Sequence, residues 1–168
     1  MERNKLGDSY DLVKRFWAQT LNIIAPLYAH SDFFPMDDEL RAPYSLLTSV
    51  PILSAPPKGQ FGILLDPHTG IPLPSGGGKP MGHARLEFIV EIFHSWKPSY
   101  LICFDQSVKR QKKPNGQDQR ISKCTELRNK GIESFFYESH APFLFATTTS
   151  DSLKKDKGAS HVVWYSQI

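Results

Sequence analysis

The feature that most constrains the fold is an alternation of short apolar runs with longer segments of helical pattern. The runs at Gln60–Asp66, Ser99–Asp105 and Ile132–Tyr137 have the length and composition of strands, and the first is typical of a buried strand. Helical patterns at His83–Trp96 and Asp118–Lys130 separate them. Strand, helix, strand, helix, strand is the order typical of a parallel sheet. The alternation therefore predicts an α/β fold, a three-layer Rossmann-like domain with a mostly parallel central sheet.

The end of the chain predicts a different connection. Phe143–Thr148 has the pattern of a further strand, and only the link Ser139–Pro142 separates it from the strand before it. Because so short a link suits a hairpin, this strand should run antiparallel to its neighbour. Gly131 should end the preceding helix in the left-handed conformation. In the tail, the apolar run Val162–Tyr165 is a candidate edge strand.

The first 59 residues have a weaker pattern. Asp8 is placed to cap a helix that runs to about Ile24, and Pro26 stops that helix. Residues 26–59 are rich in proline and lack periodicity. They are predicted to wrap over the surface of the domain, with one short helix near Asp38–Leu47.

Composition limits the class of protein. A length of 168 residues and a hydrophobic fraction of 40% indicate one globular domain rather than a disordered chain. A net charge of +3 permits a nucleic-acid or phosphate partner without requiring one. With no long apolar segment, and with Cys103 and Cys124 interpreted as buried thiols, the expected location is cytoplasmic, without a membrane partner. The regions in chain order are an N-terminal helix (1–25), the wrap (26–59), the α/β core (60–150) and a tail (151–168).

Acidic and histidine residues fall where the predicted strands end. Asp66 and Asp105 close the first two core strands, and Glu138 and His140 follow the third. The carboxyl ends of parallel strands converge on one crevice, where ligands bind. Carboxylates there can hold Mg²⁺ or Mn²⁺, which activates water and neutralises a phosphate, and His140 could move a proton. The alternative is that each aspartate caps the turn that follows it.

The helix predicted at His83–Trp96 carries a second polar arc beside its apolar one. His83, Glu87, Glu91 and His94 share that arc. In the functional interpretation Glu87 or Glu91 completes a metal site, and His83 is a second candidate proton shuttle. The alternative is a solvated helix face with contacts between residues four apart.

Two loops could contact a phosphate. Ser75–Lys79 (S-G-G-G-K) resembles the end of a phosphate-binding loop, but Pro80 stands where that loop needs Ser or Thr, so a flexible flap is the preferred interpretation. A dense basic patch begins four residues after Asp105 and could hold a polynucleotide backbone, although a basic loop is usually only solvated. The patch consists of Lys109, Arg110, Lys112, Lys113, Arg120 and Lys123.

Four strings carry a resemblance to a family of small bacterial proteins with no known activity. They are D-P-H-T-G from Asp66, F-D-Q-S from Phe104, S-H-A-P-F from Ser139 and the opening Y-D-L-V-K-R from Tyr10.

A looser, topological resemblance is to NYN/PIN-type nucleases, which place acidic residues at strand ends around Mg²⁺ or Mn²⁺ and usually act on RNA. It implies that Asp66 and Asp105 are metal ligands, with Glu87 or Glu91 as a helix-borne acid. The chain departs from that pattern because it lacks later strands and a clear fourth acid, and His140 stands where an acid is expected.

Two functions follow as hypotheses. The first is a metal-dependent nuclease or phosphoesterase, in which Asp66, Asp105 and one of Glu87, Glu91 and Glu138 hold the ion. The second is a non-catalytic Rossmann-like module that binds a nucleotide, RNA, DNA or a protein partner. The second predicts salt-sensitive binding that depends on the basic loop after Asp105.

Overall fold

A computed structural model describes residues 6–34, 38–72, 83–107 and 116–148. Within these residues the chain forms an α/β fold of six strands and four α-helices, with one 3-10 turn at Ser31–Phe33. The elements in chain order are α1 Ser9–Leu21, β1 Leu27–His30, α2 Asp38–Thr48, β2 Ile52–Leu53, β3 Gly62–Leu65, α3 Leu86–Ser95, β4 Tyr100–Phe104, α4 Gly116–Arg128, β5 Ile132–Tyr137 and β6 Phe143–Thr148.

The six strands form one mixed sheet in the order β2-β1-β3-β4-β6-β5. The first four strands of that order are parallel, and β6 runs antiparallel to both β4 and β5. The mostly parallel sheet and the C-terminal hairpin are thus confirmed. Leu65, the last residue of β3, pairs with Cys103, one residue before the end of β4, so the residues that follow the two strands, Asp66 and Asp105, leave the same edge of the sheet. We call this edge the carboxyl edge.

The prediction of a surface wrap at 26–59 is wrong in part. Two short parallel strands, β1 and β2, lie within it, and Ala29 donates its N–H to Pro51 O at 2.8 Å. Strands of four and two residues are too short to show a period, and a proline just before each strand interrupts the pattern without removing a bond from the strand itself. The short helix expected near Asp38–Leu47 is confirmed as α2, which contains Pro43.

Several element boundaries also differ from prediction. Asp8 caps α1 by accepting the N–H groups of Tyr10 and Asp11, as expected, but the helix ends at Leu21 rather than near Ile24. The side chain of Ile24 is 43% exposed, so its apolar character does not mark a buried helical turn. Gly131 has φ 78°, which confirms its left-handed role at the end of α4.

Alternate residues of the buried strands contribute to two apolar clusters. Leu64 and Ile102 belong to a cluster that includes residues of α1 and α2. Ile63 and Leu101 belong to a second cluster that includes residues of α3 and α4. Since successive side chains of a strand point to opposite faces, the sheet buries apolar residues on both of its faces.

Among the described residues no helix has both the length and the apolar content that crossing a membrane requires.

Candidate functional site at the carboxyl edge

The carboxylate of Asp66 forms an ion pair with a lysine from α1. Lys14 Nζ lies 2.6 Å from Asp66 Oδ2 and 3.0 Å from Asp11 Oδ1, and all three side chains are at most 12% exposed. Lys14 thus bridges two carboxylates, one from its own helix and one from the end of β3. Neither Lys14 nor Asp11 was among the predicted site residues. Their i,i+3 spacing on α1 could have indicated an ion pair between them.

Burial lowers the pKa of Lys14, but the charges and hydrogen bonds of Asp66 and Asp11 outweigh it and hold that pKa above its ordinary value. Tyr44 of α2 lies beside this group, with Lys14 Nζ 5.5 Å from the centre of its ring. Burial first, and then the negative charges of Asp66 and Asp11, raise the pKa of Tyr44 well above its usual range. At neutral pH Lys14 is therefore protonated and positively charged, and the Tyr44 hydroxyl keeps its proton.

Asp105 has a denser set of partners. Its Oδ2 accepts from Lys123 Nζ at 2.6 Å, and its Oδ1 accepts from Ile71 N at 2.8 Å and from Ser107 Oγ at 2.6 Å. The side chains of Asp105 and Lys123 are 1% and 0% exposed. Asp105 also accepts from its own turn, at Ser107 N, so the turn-cap alternative describes part of its role. A buried charge pair requires this degree of hydrogen bonding to offset its loss of water.

Gly70 lets the loop after β3 pack against Asp105. It has φ +91°, and a Cβ built on it would lie 2.8 Å from Asp105 Cα, closer than real Cβ contacts come. Gly70 O also accepts from Ala84 N at 3.1 Å, so the loop is tied to the chain that leads into α3. The D-P-H-T-G string is thus the contact between two carboxyl-edge loops, which explains its glycine.

The prediction of a polar arc on the third helix is wrong for His83, which lies outside the helix. α3 begins at Leu86, and His83 precedes it in a bridge with Gly70, where its Nδ1 lies 2.7 Å from Thr69 Oγ1. The periodicity of a sequence does not show at which residue a helix begins. The N-cap residue of α3, Arg85, makes no side-chain capping hydrogen bond that would mark the start. Glu87, Glu91 and His94 lie on α3 and are exposed, as in the solvated-face alternative.

Glu138 and His140 lie in the link between β5 and β6. Glu138 Oε1 accepts from Arg120 Nη1 at 2.7 Å, and Glu138 is 64% exposed. His140 is exposed, with its ring centre 6.1 Å from that of Tyr10. Tyr10 Oη in turn accepts from Gln106 Nε2 at 2.9 Å, which connects the hairpin to the turn after Asp105.

Of the residues predicted to contact phosphate, the structure describes only Arg120 and Lys123. Arg120 is described, and besides its pair with Glu138 it lies over the ring of Phe136. Lys123 is fully buried against Asp105, so its assignment to the exposed basic patch is wrong. The remaining predictions concern residues outside the described ones: Lys109, Arg110, Lys112, Lys113, the Ser75–Lys79 flap and the Val162–Tyr165 tail segment.

The described residues contain no group of three His, Cys, Asp or Glu side chains placed to hold a metal ion. The two strand-end aspartates, which were the expected ligands of Mg²⁺ or Mn²⁺, each have an ammonium at 2.6 Å. A cation entering here would compete with a bonded lysine for its oxygen ligands.

Both cysteines are free thiols; Cys103 is buried as predicted, but Cys124 is only half-buried. Burial first, with smaller contributions from Asp105 and Asp66, raises the pKa of Cys103 well above its usual range. Burial likewise raises the pKa of Cys124. Neither is therefore an activated nucleophile.

A third strand-end residue, His30 at the end of β1, was missed because β1 was not predicted. It is 5% exposed, Asp32 N donates to its Nδ1 at 3.3 Å, and Trp96 lies with its ring centre 4.6 Å away. Burial lowers the pKa of His30, an effect that the nearby Asp32 partly offsets. The imidazole is therefore neutral at pH 7.

This site predicts a pH-dependent stability. The folded state holds the pKa of His30 below its ordinary value of 6.5, so the unfolded chain binds the proton more readily. We expect the free energy of unfolding to fall as the pH drops below about 6.5, and His30→Gln to reduce that fall. Urea unfolding at several pH values between 5 and 8 measures it. His68→Gln, at an exposed histidine, is the control, and an equal effect of both variants would contradict the prediction.

Comparison with known proteins adds no relative, since no protein family, curated protein or solved structure matches the chain.

Proposed function

We propose that the chain is a three-layer Rossmann-like module of the cytoplasm that binds the phosphate backbone of RNA or DNA at the carboxyl edge, without cleaving it. The observation that carries the proposal is that Asp66 and Asp105 each have a lysine ammonium at 2.6 Å. Carboxylates held in this way support the positions of the loops around them. Lys123 balances the charge of Asp105, whereas Lys14 is shared by Asp66 and Asp11 and balances one of those two carboxylates.

Positive charge is concentrated in two segments of the sequence, one following β3 and the other following β4. One leaves the described chain at residue 72 and returns at 83, and the other leaves at 107 and returns at 116. Between those points the sequence holds five basic residues and no acidic one. They are Lys79, Lys109, Arg110, Lys112 and Lys113. Asp66 and Asp105 already have Lys14 and Lys123 as partners, so neither carboxylate depends on these five cations for an ion pair.

The number of cations favours a polyanion over a single phosphate. Lysine and arginine side chains that contact successive phosphates release counterions from a nucleic acid, which makes binding strong at low salt and steeply salt-dependent. Such contacts position the strand but carry no sequence information. We therefore expect little sequence preference.

Neutralising the loop should weaken binding to single-stranded RNA or DNA. We expect Lys112→Gln with Lys113→Gln to lower the affinity for a 20-nucleotide strand at least about tenfold at low salt, and to reduce the slope of log K against log salt by about 1.4. Fluorescence anisotropy over a salt series measures both quantities.

The matched control is Arg128→Gln with Lys130→Gln, which removes two positive charges at the other end of α4. It should change affinity by less than about threefold through net charge alone. Equal losses from the two double variants would contradict a binding loop at the carboxyl edge. Binding that resists salt would contradict the phosphate contacts.

The metal-dependent nuclease, with its likeness to NYN/PIN-type enzymes, stays a prediction and is the alternative outcome of this test. It requires that the protein cleave the same strand in the presence of Mg²⁺ or Mn²⁺. It also requires that Asp105→Asn abolish this cleavage. A protein partner in place of nucleic acid predicts no binding to either strand.

A further inference from the structure

The sheet ends in a strand with one side uncovered by any described strand. β5 is the last strand of the order and pairs with β6 on its inner side. No strand among residues 6–34, 38–72, 83–107 and 116–148 runs along its outer side. A six-residue edge of this kind is a template for pairing with another extended segment.

An apolar pocket lies at the carboxyl end of that strand, and we call it the Trp17 pocket. Its volume is about 290 Å³. Leu12, Phe16 and Tyr137 around it are 59%, 55% and 43% exposed, which is unusual for large apolar side chains so close together. The lining residues are Leu12, Val13, Phe16, Trp17, Tyr137, Ser139 and His140.

The pocket also contains an unused hydrogen-bond donor. Trp17 Nε1 is buried and has no hydrogen-bond acceptor among the described residues. The indole ring itself is fixed by edge contacts with Tyr137 and Phe145, whose ring centres lie 5.0 and 4.8 Å away. A buried N–H without an acceptor is costly, so an occupant that brings a carbonyl would be favoured over a purely apolar one. A peptide segment has both features.

The chain itself provides such a segment. After β6 ends at Thr148, beside Ile132 in the register, 20 residues follow. They include Val162–Tyr165 (V-V-W-Y), four residues of high strand propensity, of which two are aromatic. The outer side of β5 is about 10 Å from β6, two strand spacings, and the 13 residues between Thr148 and Val162 can span roughly 40 Å.

We propose that Val162–Tyr165 pairs with the outer side of β5 within the same chain and places an aromatic side chain in the Trp17 pocket. Alternation along a strand directs either Val162 and Trp164 or Val163 and Tyr165 to the face of the sheet on which Trp17 lies. A shift of the indole ring on binding exposes Nε1, which then donates to a backbone carbonyl of the segment. The tail thereby closes the open edge and covers the exposed apolar surface of α1. This inference is independent of phosphate binding at the carboxyl edge.

Amide hydrogen exchange of the full chain tests the pairing. With Trp164→Ala and Tyr165→Ala together, the β5 amides that face away from β6 should exchange at least about tenfold faster than in the unaltered chain. The NMR signal of the Trp17 indole N–H should move in the same variant. Val163→Pro, which removes a ladder donor and disfavours the strand, should have the same effects. Lys154→Ala with Lys155→Ala, in the same tail, should have neither.

Three outcomes would overturn the proposal. The first is equal β5 exchange in the unaltered chain and in both tail variants. The second is a Trp17 indole signal that does not respond to them. The third is protection that rises with protein concentration together with a dimer in sedimentation, since β5 would then be covered by a second copy.

Discussion

Replacing Lys123 with methionine is expected to lower the free energy of unfolding by about 3–5 kcal/mol, because breaking a buried pair leaves an uncompensated charge. Asp105 would stay at 1% exposure, still accepting from Ile71 N and Ser107 N, with no ammonium to balance it. Methionine fills a similar volume, so the loss reports the charge rather than a cavity. Urea unfolding at pH 7, followed by circular dichroism, measures it.

Two controls separate the charge from general damage. Asp105→Asn combined with Lys123→Met removes both charges and should recover much of the lost stability. Arg128→Met breaks the exposed pair with Glu133, whose side chains are 61% and 45% exposed, and should cost less than about 1 kcal/mol. A loss below about 1 kcal/mol for Lys123→Met would show that the Lys123–Asp105 pair does not stabilise this edge.

Gly70→Ala is expected to destabilise the fold by about 3 kcal/mol or more, through two effects that add. The φ of +91° strains any residue with a Cβ, and the new methyl group would lie 2.8 Å from both Asp105 Cα and Gln106 N. Since those neighbours are backbone atoms, the two loops must separate to make room. The Asp105 hydrogen bonds to Ile71 N and Ser107 Oγ would be disturbed with them.

Gly59→Ala is the matched control for this variant. Gly59 has φ +86°, but nothing lies within 4 Å of a Cβ built on it. It therefore reports the backbone strain alone, roughly 1–2 kcal/mol. If the two alanine variants lose the same stability, the close approach of the Gly70 loop to Asp105 is wrong.

β3 and β4 were predictable from the sequence because they are buried on both faces, whereas β5 was also predicted but is a mostly half-buried edge strand. Runs such as Y-L-I-C-F in β4 have no other stable environment, and all five of its residues are buried. The short hairpin link likewise determined the direction of β6. β1 and β2 were missed because their strand character comes from pairing with β3 and with each other, which leaves no local pattern.

The strand-end aspartates were found, but the residues that pair with them were not. Lys14 lies 52 residues before Asp66, and Lys123 lies 18 residues after Asp105, on helices whose packing the sequence does not specify. A lysine is ordinarily exposed, so nothing in the sequence marks these two as buried. Only the tertiary fold brings them to the carboxyl edge, where each lysine forms an ion pair with one of the two aspartates.

The central claim is that Lys14 and Lys123, not a metal ion, are the partners of Asp66 and Asp105. A crystal structure of the protein grown in Mn²⁺, with anomalous scattering to locate the ion, tests it most directly. We predict that both lysine–carboxylate contacts persist near 2.6 Å with no anomalous peak beside either carboxylate. A Mn²⁺ ion roughly 2.0–2.3 Å from oxygens of Asp66 and Asp105, with the lysines displaced, would contradict the account.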